Sequence, residues 1–212
     1  MLPTEQPSTL LSWIYPRKTT NTMGKIGEFS KDMKAAKKQR AAEREAQGIP
    51  KRRCWDWMIV GGTTHYAKNR SSFKTYQRVG RKFRDQIYGG ELFVAGIGDI
   101  ELSVRSSEKK RAPTRTVILK NVLHIPAAIC NGMSINIWTE ENRHLVSKAS
   151  PDEAIDNQNE PWWYGKPFCG LKKLALAGNP QGESYLTDEP MMLSVYVPLG
   201  THQEYLEGRK EV

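Results

Sequence analysis

The side chains that could support acid–base or nucleophilic chemistry are the aspartates, histidines and cysteines. Two aspartates held together can share one proton and activate a water, so every aspartate is a candidate. The chain has seven of them: Asp32, Asp56, Asp85, Asp99, Asp152, Asp156 and Asp188. Asp56 and Asp99 adjoin candidate strands, and both are interpreted as strand-end or outward residues rather than as bases.

The other reactive side chains give no motif. The three cysteines, Cys54, Cys130 and Cys169, form no CxxC pair and are odd in number, which indicates neither a disulfide framework nor a zinc site. A Cys/His nucleophile pair stays open, because such pairs form in space and not in sequence. Gly96-Ile97-Gly98 lacks the third glycine and the following helix of a nucleotide loop. We therefore expect no metal and no cofactor.

The positive charge is concentrated at the N-terminus. Residues 1–53 hold twelve Lys/Arg and five Asp/Glu, a net of +7, whereas the remaining residues hold 20 and 18, a net of +2. Residues 30–47 are predicted to form a helix, capped by Ser30 and ended by Gly48 and Pro50. A solvated basic helix is one interpretation, and a nucleic-acid-binding arm is the other. The candidate phosphate-binding residues are Lys34, Lys37, Lys38, Arg40, Arg44, Lys51, Arg52 and Arg53.

Neither a secretory signal nor a membrane span is visible. Residues 1–16 contain three prolines and only a short apolar group, unlike a secretory signal. No stretch approaches the roughly 18 apolar residues of a membrane span. We therefore expect an intracellular protein, cytoplasmic or nuclear, without a membrane partner; Lys51-Arg52-Arg53 is a weak nuclear-import pattern.

Residues 54–138 have the pattern of short strands separated by glycine turns. Trp57–Val60 is an apolar run stopped by Gly61-Gly62, and Ile100, Leu102 and Val104 alternate with polar residues. Five or six such strands predict a small all-β barrel or sandwich. Residues 139–160 are polar and predict a linker. The cluster Trp162-Trp163-Tyr164 is expected to pack back on the barrel, and residues 193–197 are a last candidate strand.

A family resemblance is carried by five segments in a fixed order. They are Trp57 followed by a glycine turn and His65; Asn69-Arg70-Ser71-Ser72-Phe73; Val94-Ala95-Gly96-Ile97-Gly98; Leu119-Lys120-Asn121-Val122-Leu123-His124-Ile125-Pro126; and Asn131-Gly132-Met133-Ser134. Together they resemble the protease domain of Ty1/copia-type Pol polyproteins over about 80 residues, well under half the chain. The resemblance implies a retropepsin-like barrel in which structural positions are occupied by Trp57, His65, Phe73, Gly96, Gly98, Val122, Leu123 and Pro126. In that family two subunits build one active site, which makes a homodimer possible here.

The sequence departs from the family at the decisive turn. The family places Asp-Ser-Gly-Ala there, and this chain has Val60, Gly61, Gly62 and Thr63, with His65 arriving one residue early. None of the seven aspartates is followed by serine or threonine, so an Asp-Ser/Thr-Gly triad is absent from the sequence. Because valine can neither exchange a proton nor hold a water, the resemblance implies a protease-like domain without catalytic residues.

The expected architecture is an all-β, retropepsin-like barrel core with an N-terminal basic helix and a C-terminal extension. Its parts are a basic arm over 1–53, the barrel over 54–138, and a linker with an aromatic-rich extension over 139–212. The predicted function is an inactive, retrotransposon-derived binding or scaffold domain or a degenerating remnant. Nucleic-acid binding through the arm and residual proteolysis by Asp56 or Asp99 are the alternatives.

Overall fold

A computed structural model describes most of the chain after residue 52. The described residues are 53–87, 89–142, 146–147 (backbone only), 153–156, 158–187, 192–198 and 200–207, with Ala35, Gln39 and Glu43 of the N-terminal part. The chain divides into two units, Met1–Pro50 and Lys51–Val212.

The first unit is described at three positions only. Ala35, Gln39 and Glu43 are helical and exposed, and Gln39 Nε2 donates a hydrogen bond to Glu43 Oε1 at 3.1 Å. The remainder of the predicted helix over 30–47 lies outside the described residues. So do all the predicted phosphate-binding residues except Arg53.

The second unit is built mainly of strands. The strands are β1 Trp57–Val60, β2 Tyr66–Ala67, β3 Gln77–Arg84, β4 Glu91–Arg105, β5 Thr114–His124, β6 Asn131–Ser134, β7 Val146–Ser147, β8 Glu153–Ile155, β9 Pro161–Phe168 and β10 Leu171–Leu174. The helices are α1 Ile135–Glu141 and α2 Thr201–Glu207, and a short 3₁₀ turn covers Arg70–Ser72. The residues from 139 to 160, predicted as a linker, thus include the end of α1 and the strands β7 and β8.

The strands form one sheet in the order β3-β4-β5-β2-β6-β1-β10-β9-β8-β7. β1 lies in its interior, parallel to β6 and antiparallel to β10. Both faces of β1 are buried, because Trp57 packs in one hydrophobic cluster while Met58 and Val60 pack in another. A strand covered on both faces requires a continuous apolar run, which is what Trp57–Val60 provides.

The prediction of an all-β fold is confirmed, but the prediction of a closed barrel is wrong, because the sheet does not close. Within the described residues, β3 and β7 end the ladder as its two edges. The residues after β10 do approach β4, where an isolated bridge joins Val104 to Leu176. The contact stays this short because the chain turns away at Ala177 and Gly178, whose φ is +71°.

The C-terminal half of the second unit contributes to the same core. Trp163 of β9 is fully buried and meets Trp138 of α1 edge-to-face, with ring centroids 5.2 Å apart. Helix α1 begins at Ser134, whose hydroxyl accepts from Ile137 N at 3.4 Å. The aromatic cluster therefore packs against the elements that precede it in the chain.

Candidate functional site

The degenerate turn, residues 60–63, follows directly from the buried strand β1. Val60 is 8% exposed and packs in the same hydrophobic cluster as Leu193, Val195 and Val197. Gly62 has φ +91°, a conformation that glycine adopts without the strain a side chain would bring. The turn thus buries one apolar side chain and the backbone of Gly62, whereas Thr63 is exposed.

A segment from the far end of the chain covers this turn. Residues 193–197, here named the C-terminal strap, run in an extended path without being part of the sheet. Thr63 N donates to Val195 O at 3.0 Å. The Thr63 hydroxyl accepts from Val197 N at 2.9 Å and donates to Val197 O at 3.2 Å. One edge of the strap is therefore bound to the turn by the backbone and the side chain of a single residue, Thr63.

The opposite edge of the strap is held by the connection between β3 and β4. Gln86 N donates to Tyr196 O at 3.0 Å, and Tyr196 N donates to an Asp85 carboxylate oxygen at 2.8 Å. Asp85 is buried, and it also accepts from Ile87 N at 2.9 Å. The strap is consequently clamped between the degenerate turn and this connection. Residues 193–197 were predicted to be a strand; they are extended, but their partners belong to separate segments and form no continuous ladder.

A buried histidine, His65, is linked to the turn through Ser134. Ser134 N donates to His65 Nδ1 at 2.9 Å, and the Ser134 hydroxyl donates to Gly62 O at 2.9 Å. Burial, with a smaller contribution from nearby His202, lowers the pKa of His65 to about 3. The imidazole is therefore neutral, with its proton on Nε2, which is buried and without a hydrogen-bond partner among the described residues. This geometry gives His65 a positioning role in the turn.

Helix α2 is fixed to the turn by a second imidazole. Thr64 Oγ1 lies 2.7 Å from His202 Nε2 and donates to His65 O at 3.0 Å. Since the hydroxyl has one proton, and it goes to the carbonyl, His202 Nε2 is the donor in this pair. A hydroxyl beside an imidazole has the form of a nucleophile pair. Thr64 is only 1% exposed, however, so the contact acts as a latch for α2.

Each of three aspartates in the second unit has an ion-pair or hydrogen-bond partner. Asp56 is buried and its carboxylate lies 3.0 Å from Lys173 Nζ. Asp99 accepts from the Thr75 hydroxyl at 3.0 Å and from Asn121 N at 3.1 Å. Asp85 binds the strap, as described above. Asp56 precedes β1 whereas Val60 ends it, so the length of the strand, about 13 Å at 3.3 Å per residue, separates their backbones.

The residues of the family pattern are distributed between core positions and close backbone contacts. Trp57, Phe73, Val122 and Leu123 are buried, whereas Pro126 is exposed. A Cβ on Gly96 would lie 2.2 Å from the Tyr76 ring, and a Cβ on Gly98 would lie 2.1 Å from Thr75 O. Both positions require glycine because the chain before β3 crosses β4 there.

A buried asparagine joins β6 to the start of β1. Asn131 Nδ2 donates to Cys54 O at 3.1 Å and to Asp56 O at 3.2 Å, and its Oδ1 accepts from Lys68 N at 2.9 Å. The amide therefore fixes the chain that enters β1 and the segment that follows β2.

Two of the three thiols of the second unit are poorly suited to nucleophilic chemistry. Burial raises the pKa of Cys54 to about 11 and that of Cys130 to about 12. Both groups are protonated at neutral pH, and the thiolate is the reactive form. Among the described residues no group of three His, Cys, Asp or Glu side chains could hold a metal ion.

Sequence reasoning missed three residues of this region. His202 and Thr64 gave no signal, because their contact joins positions 138 apart in the chain. His124 gave no signal either; it is 8% exposed, and its Nδ1 lies 2.8 Å from the Tyr76 hydroxyl. Arg53, predicted to bind phosphate, stacks its guanidinium 3.8 Å above the Trp55 ring, and burial lowers its pKa.

Comparison with known proteins agrees with the order of the sequence segments. Residues 57–143 match the family model of the Pol polyprotein, beta-barrel domain. No curated protein and no solved structure matches the chain. Within the described residues, no helix is both long enough and apolar enough to span a membrane. The C-terminal strap and α2 lie outside the matched segment, and residues 57–143 are similar to the beta-barrel domain of Pol polyproteins.

Proposed function

We propose that this chain is a catalytically inactive, Ty1/copia-type aspartic-protease-like domain with a binding or scaffold role. The observation that carries the proposal is the degenerate turn: Val60 occupies the position of the aspartate, and the strap covers it. A turn that must bind a water and a substrate cannot perform either role while Val195 and Val197 pack upon it.

The packing around Val60 is also unsuited to a carboxylate. Its neighbours in the cluster are apolar, including Leu193, Val195 and Val197. An ionised group at this position would lose its hydration without gaining a partner, which strongly favours the neutral form. The strap and the valine are therefore mutually consistent, since the apolar side chains of the strap and of Val60 belong to one buried cluster.

The test is a proteolysis assay on the full chain. Purified protein is incubated with an unstructured polypeptide from pH 4 to pH 7, with and without a peptide inhibitor that mimics the tetrahedral intermediate. An active aspartic protease is the positive control. We expect no inhibitor-sensitive cleavage, and cleavage that the inhibitor blocks would contradict the proposal.

Residual proteolysis by an unusual aspartate is the enzymatic alternative. It is disfavoured by the ion pair of Asp56 with Lys173 and by the two hydrogen bonds that Asp99 accepts. If cleavage is found, Asp56→Asn and Asp99→Asn decide whether these residues carry it. Activity unchanged in both variants would eliminate this alternative.

Nucleic-acid binding through the N-terminal arm is a second candidate function. The net charge of +7 in residues 1–53 favours it. It predicts an affinity that falls steeply with salt and is lost when Lys34, Lys37 and Lys38 are replaced by alanine in the full chain. Equal binding by the substituted protein would refute a role for these residues.

Oligomeric state and location follow from the same proposal. Homodimerisation remains possible, but the strap occupies the face of the turn within one chain, which favours a monomer. Sedimentation analysis distinguishes the two states. An intracellular location, cytoplasmic or nuclear, is proposed because the cysteines are odd in number and form no CxxC pair, unlike a disulfide framework; imaging of the tagged full chain tests it.

A further inference from the structure

The folded unit has a charge asymmetry of its own, separate from that of the arm. Residues 68–84 contain seven Lys/Arg and no Asp/Glu. The rest of the segment from 54 to 212 contains 13 Lys/Arg (20 less 7) and 18 Asp/Glu, a net of −5. The small net charge of this segment thus hides a strongly basic stretch within an acidic remainder.

The cations of this stretch are on the surface. Six are exposed: Arg70, Lys74, Arg78, Arg81, Lys82 and Arg84. Two of them are paired with acids, Lys74 with Glu101 at 2.7 Å and Lys82 with Glu91 at 2.8 Å. The four arginines have no acidic partner in the part of the chain that the structure describes.

Aromatic rings lie between these cations. The Arg70 guanidinium stacks 3.7 Å above the Tyr76 ring, and the Tyr76 hydroxyl is held by His124 Nδ1 at 2.8 Å. Phe93, which is 45% exposed, is the cross-strand partner of Lys82. Arg78 pairs with Gly96, the residue on which the Tyr76 ring lies.

We propose that this surface, formed by Arg70, Tyr76, Arg78, Lys82, Arg84 and Phe93 and here named the β3 basic surface, binds single-stranded nucleic acid. Phosphates would contact the arginines along the β3 edge, and bases would stack on Phe93 on one face of this edge and on the Arg70–Tyr76 pair on the other, since Phe93 and Gly96 are three residues apart in β4. From residue 78 to residue 84 an extended strand spans roughly 20 Å, which gives a linear array of cations along one edge of the sheet.

Two features favour nucleic-acid binding over an edge-strand role or an acidic peptide partner: the position of Arg70 and the aromatic rings. Charged residues on an edge strand discourage pairing with other sheets, and this accounts for Lys82 and Arg84. It does not account for Arg70, which precedes the strand and is stacked on a ring fixed by His124. An acidic peptide would use the charges but would leave the aromatic faces without a partner. The inference does not depend on the degenerate turn being inactive.

The experiment measures binding of fluorescently labelled 20-nucleotide poly(dT) and poly(U) to the full chain by anisotropy over a range of salt concentrations. The test variant is Arg70→Ala/Arg78→Ala/Arg84→Ala. The matched control is Lys109→Ala/Lys110→Ala/Arg111→Ala, which removes three exposed cations from the loop between β4 and β5. Thermal melts establish that each variant is folded.

We expect the test variant to bind at least about tenfold more weakly and to lower the salt slope by about 2, since each lost phosphate contact contributes about 0.7. The control should change affinity less than about twofold. Phe93→Ala should weaken binding at an unchanged salt slope, because stacking involves no counterion release.

Several outcomes would overturn the inference. Equal losses in the test and control triples would indicate non-specific charge effects. Equally tight binding of polyglutamate or of anionic phosphatidylserine vesicles would indicate a surface for an acidic protein or a lipid headgroup. If the arm substitutions at Lys34, Lys37 and Lys38 abolish binding and the test triple has no effect, the arm function stands and the β3 basic surface fails.

Discussion

Replacing Gly62 by alanine should detach the C-terminal strap from the degenerate turn. Gly62 has φ +91°, and a Cβ at this position would lie 2.5 Å from Val195 O and 3.0 Å from Val195 N. These are backbone atoms, so no side-chain rotation can relieve the contact. The strap must therefore move, and the hydrogen bonds of Thr63 to Val195 and Val197 must lengthen or break.

The expected loss in free energy of unfolding has two parts. A left-handed conformation costs a residue with a side chain roughly 1–2 kcal/mol. The three hydrogen bonds between Thr63 and the strap contribute about 1 kcal/mol each. Together these terms give a destabilisation on the order of 4 kcal/mol, or a fall in melting temperature of about 10 °C for a unit of this size.

A control substitution at a second glycine separates the conformational term from the hydrogen-bond term. Gly80, in the bulge of β3, has φ +66° but no atom within 4 Å of a built Cβ. Gly80→Ala should therefore cost only the conformational term, roughly 1–2 kcal/mol. Urea unfolding of both variants and the wild type gives the difference, and hydrogen exchange follows the amides of Thr63, Gln86 and Val197.

The interpretation of the strap depends on this comparison. We expect Gly62→Ala to be the more destabilised by about 3 kcal/mol, which is the strap term alone, and to lose protection at these amides. Equal destabilisation of the two variants, with the Thr63 and Val197 amides still protected, would show that the strap does not bind the turn as described.

Five further substitutions test the contacts around β1 and the turn. Lys173→Met should cost about 3 kcal/mol, because it leaves the buried Asp56 carboxylate unpaired. Asp56→Asn in the same protein should recover most of that loss, and a double variant no more stable than the single one would contradict the pairing. His65 has a folded pKa of about 3 against 6.5 when unfolded, so the unfolded state binds more protons and stability falls as the pH drops below 6.5. His65→Asn removes this dependence; its stability deficit, measured by urea unfolding from pH 7 to pH 4.5, should shrink by about 1.4 kcal/mol per pH unit. Thr64→Val should cost about 1–2 kcal/mol, and His202→Ala should add little in that background. Additive losses in the double variant would contradict the latch between them.

Local patterns in the sequence were sufficient for β1 and β4 and for the absence of an Asp-Ser/Thr-Gly triad, whereas β7 and β8 lie in the segment predicted as a linker. The apolar run Trp57–Val60 and the alternation of Ile100, Leu102 and Val104 reflect burial on two faces and on one face, and the structure has β1 and β4 there. The match over residues 57–143 agrees with the family segments identified by their order. The absence of an Asp-Ser/Thr-Gly triad is a property of the sequence itself and needs no structure.

The closure of the sheet and the cover over the turn were decided only by tertiary structure. Both depend on contacts between residues far apart in the chain, such as Thr63 with Val197, which are 134 positions apart. The residues from 193 to 197 have the alternation of a strand, and that pattern reports only that alternate side chains are buried. It does not reveal whether their backbone joins a ladder or, as here, binds a turn on one side and a loop on the other. The sequence by itself thus determined that the chain has no Asp-Ser/Thr-Gly triad, whereas the fold determined that the strap packs against residues 60–63, because burial is encoded locally and the choice of partner is not.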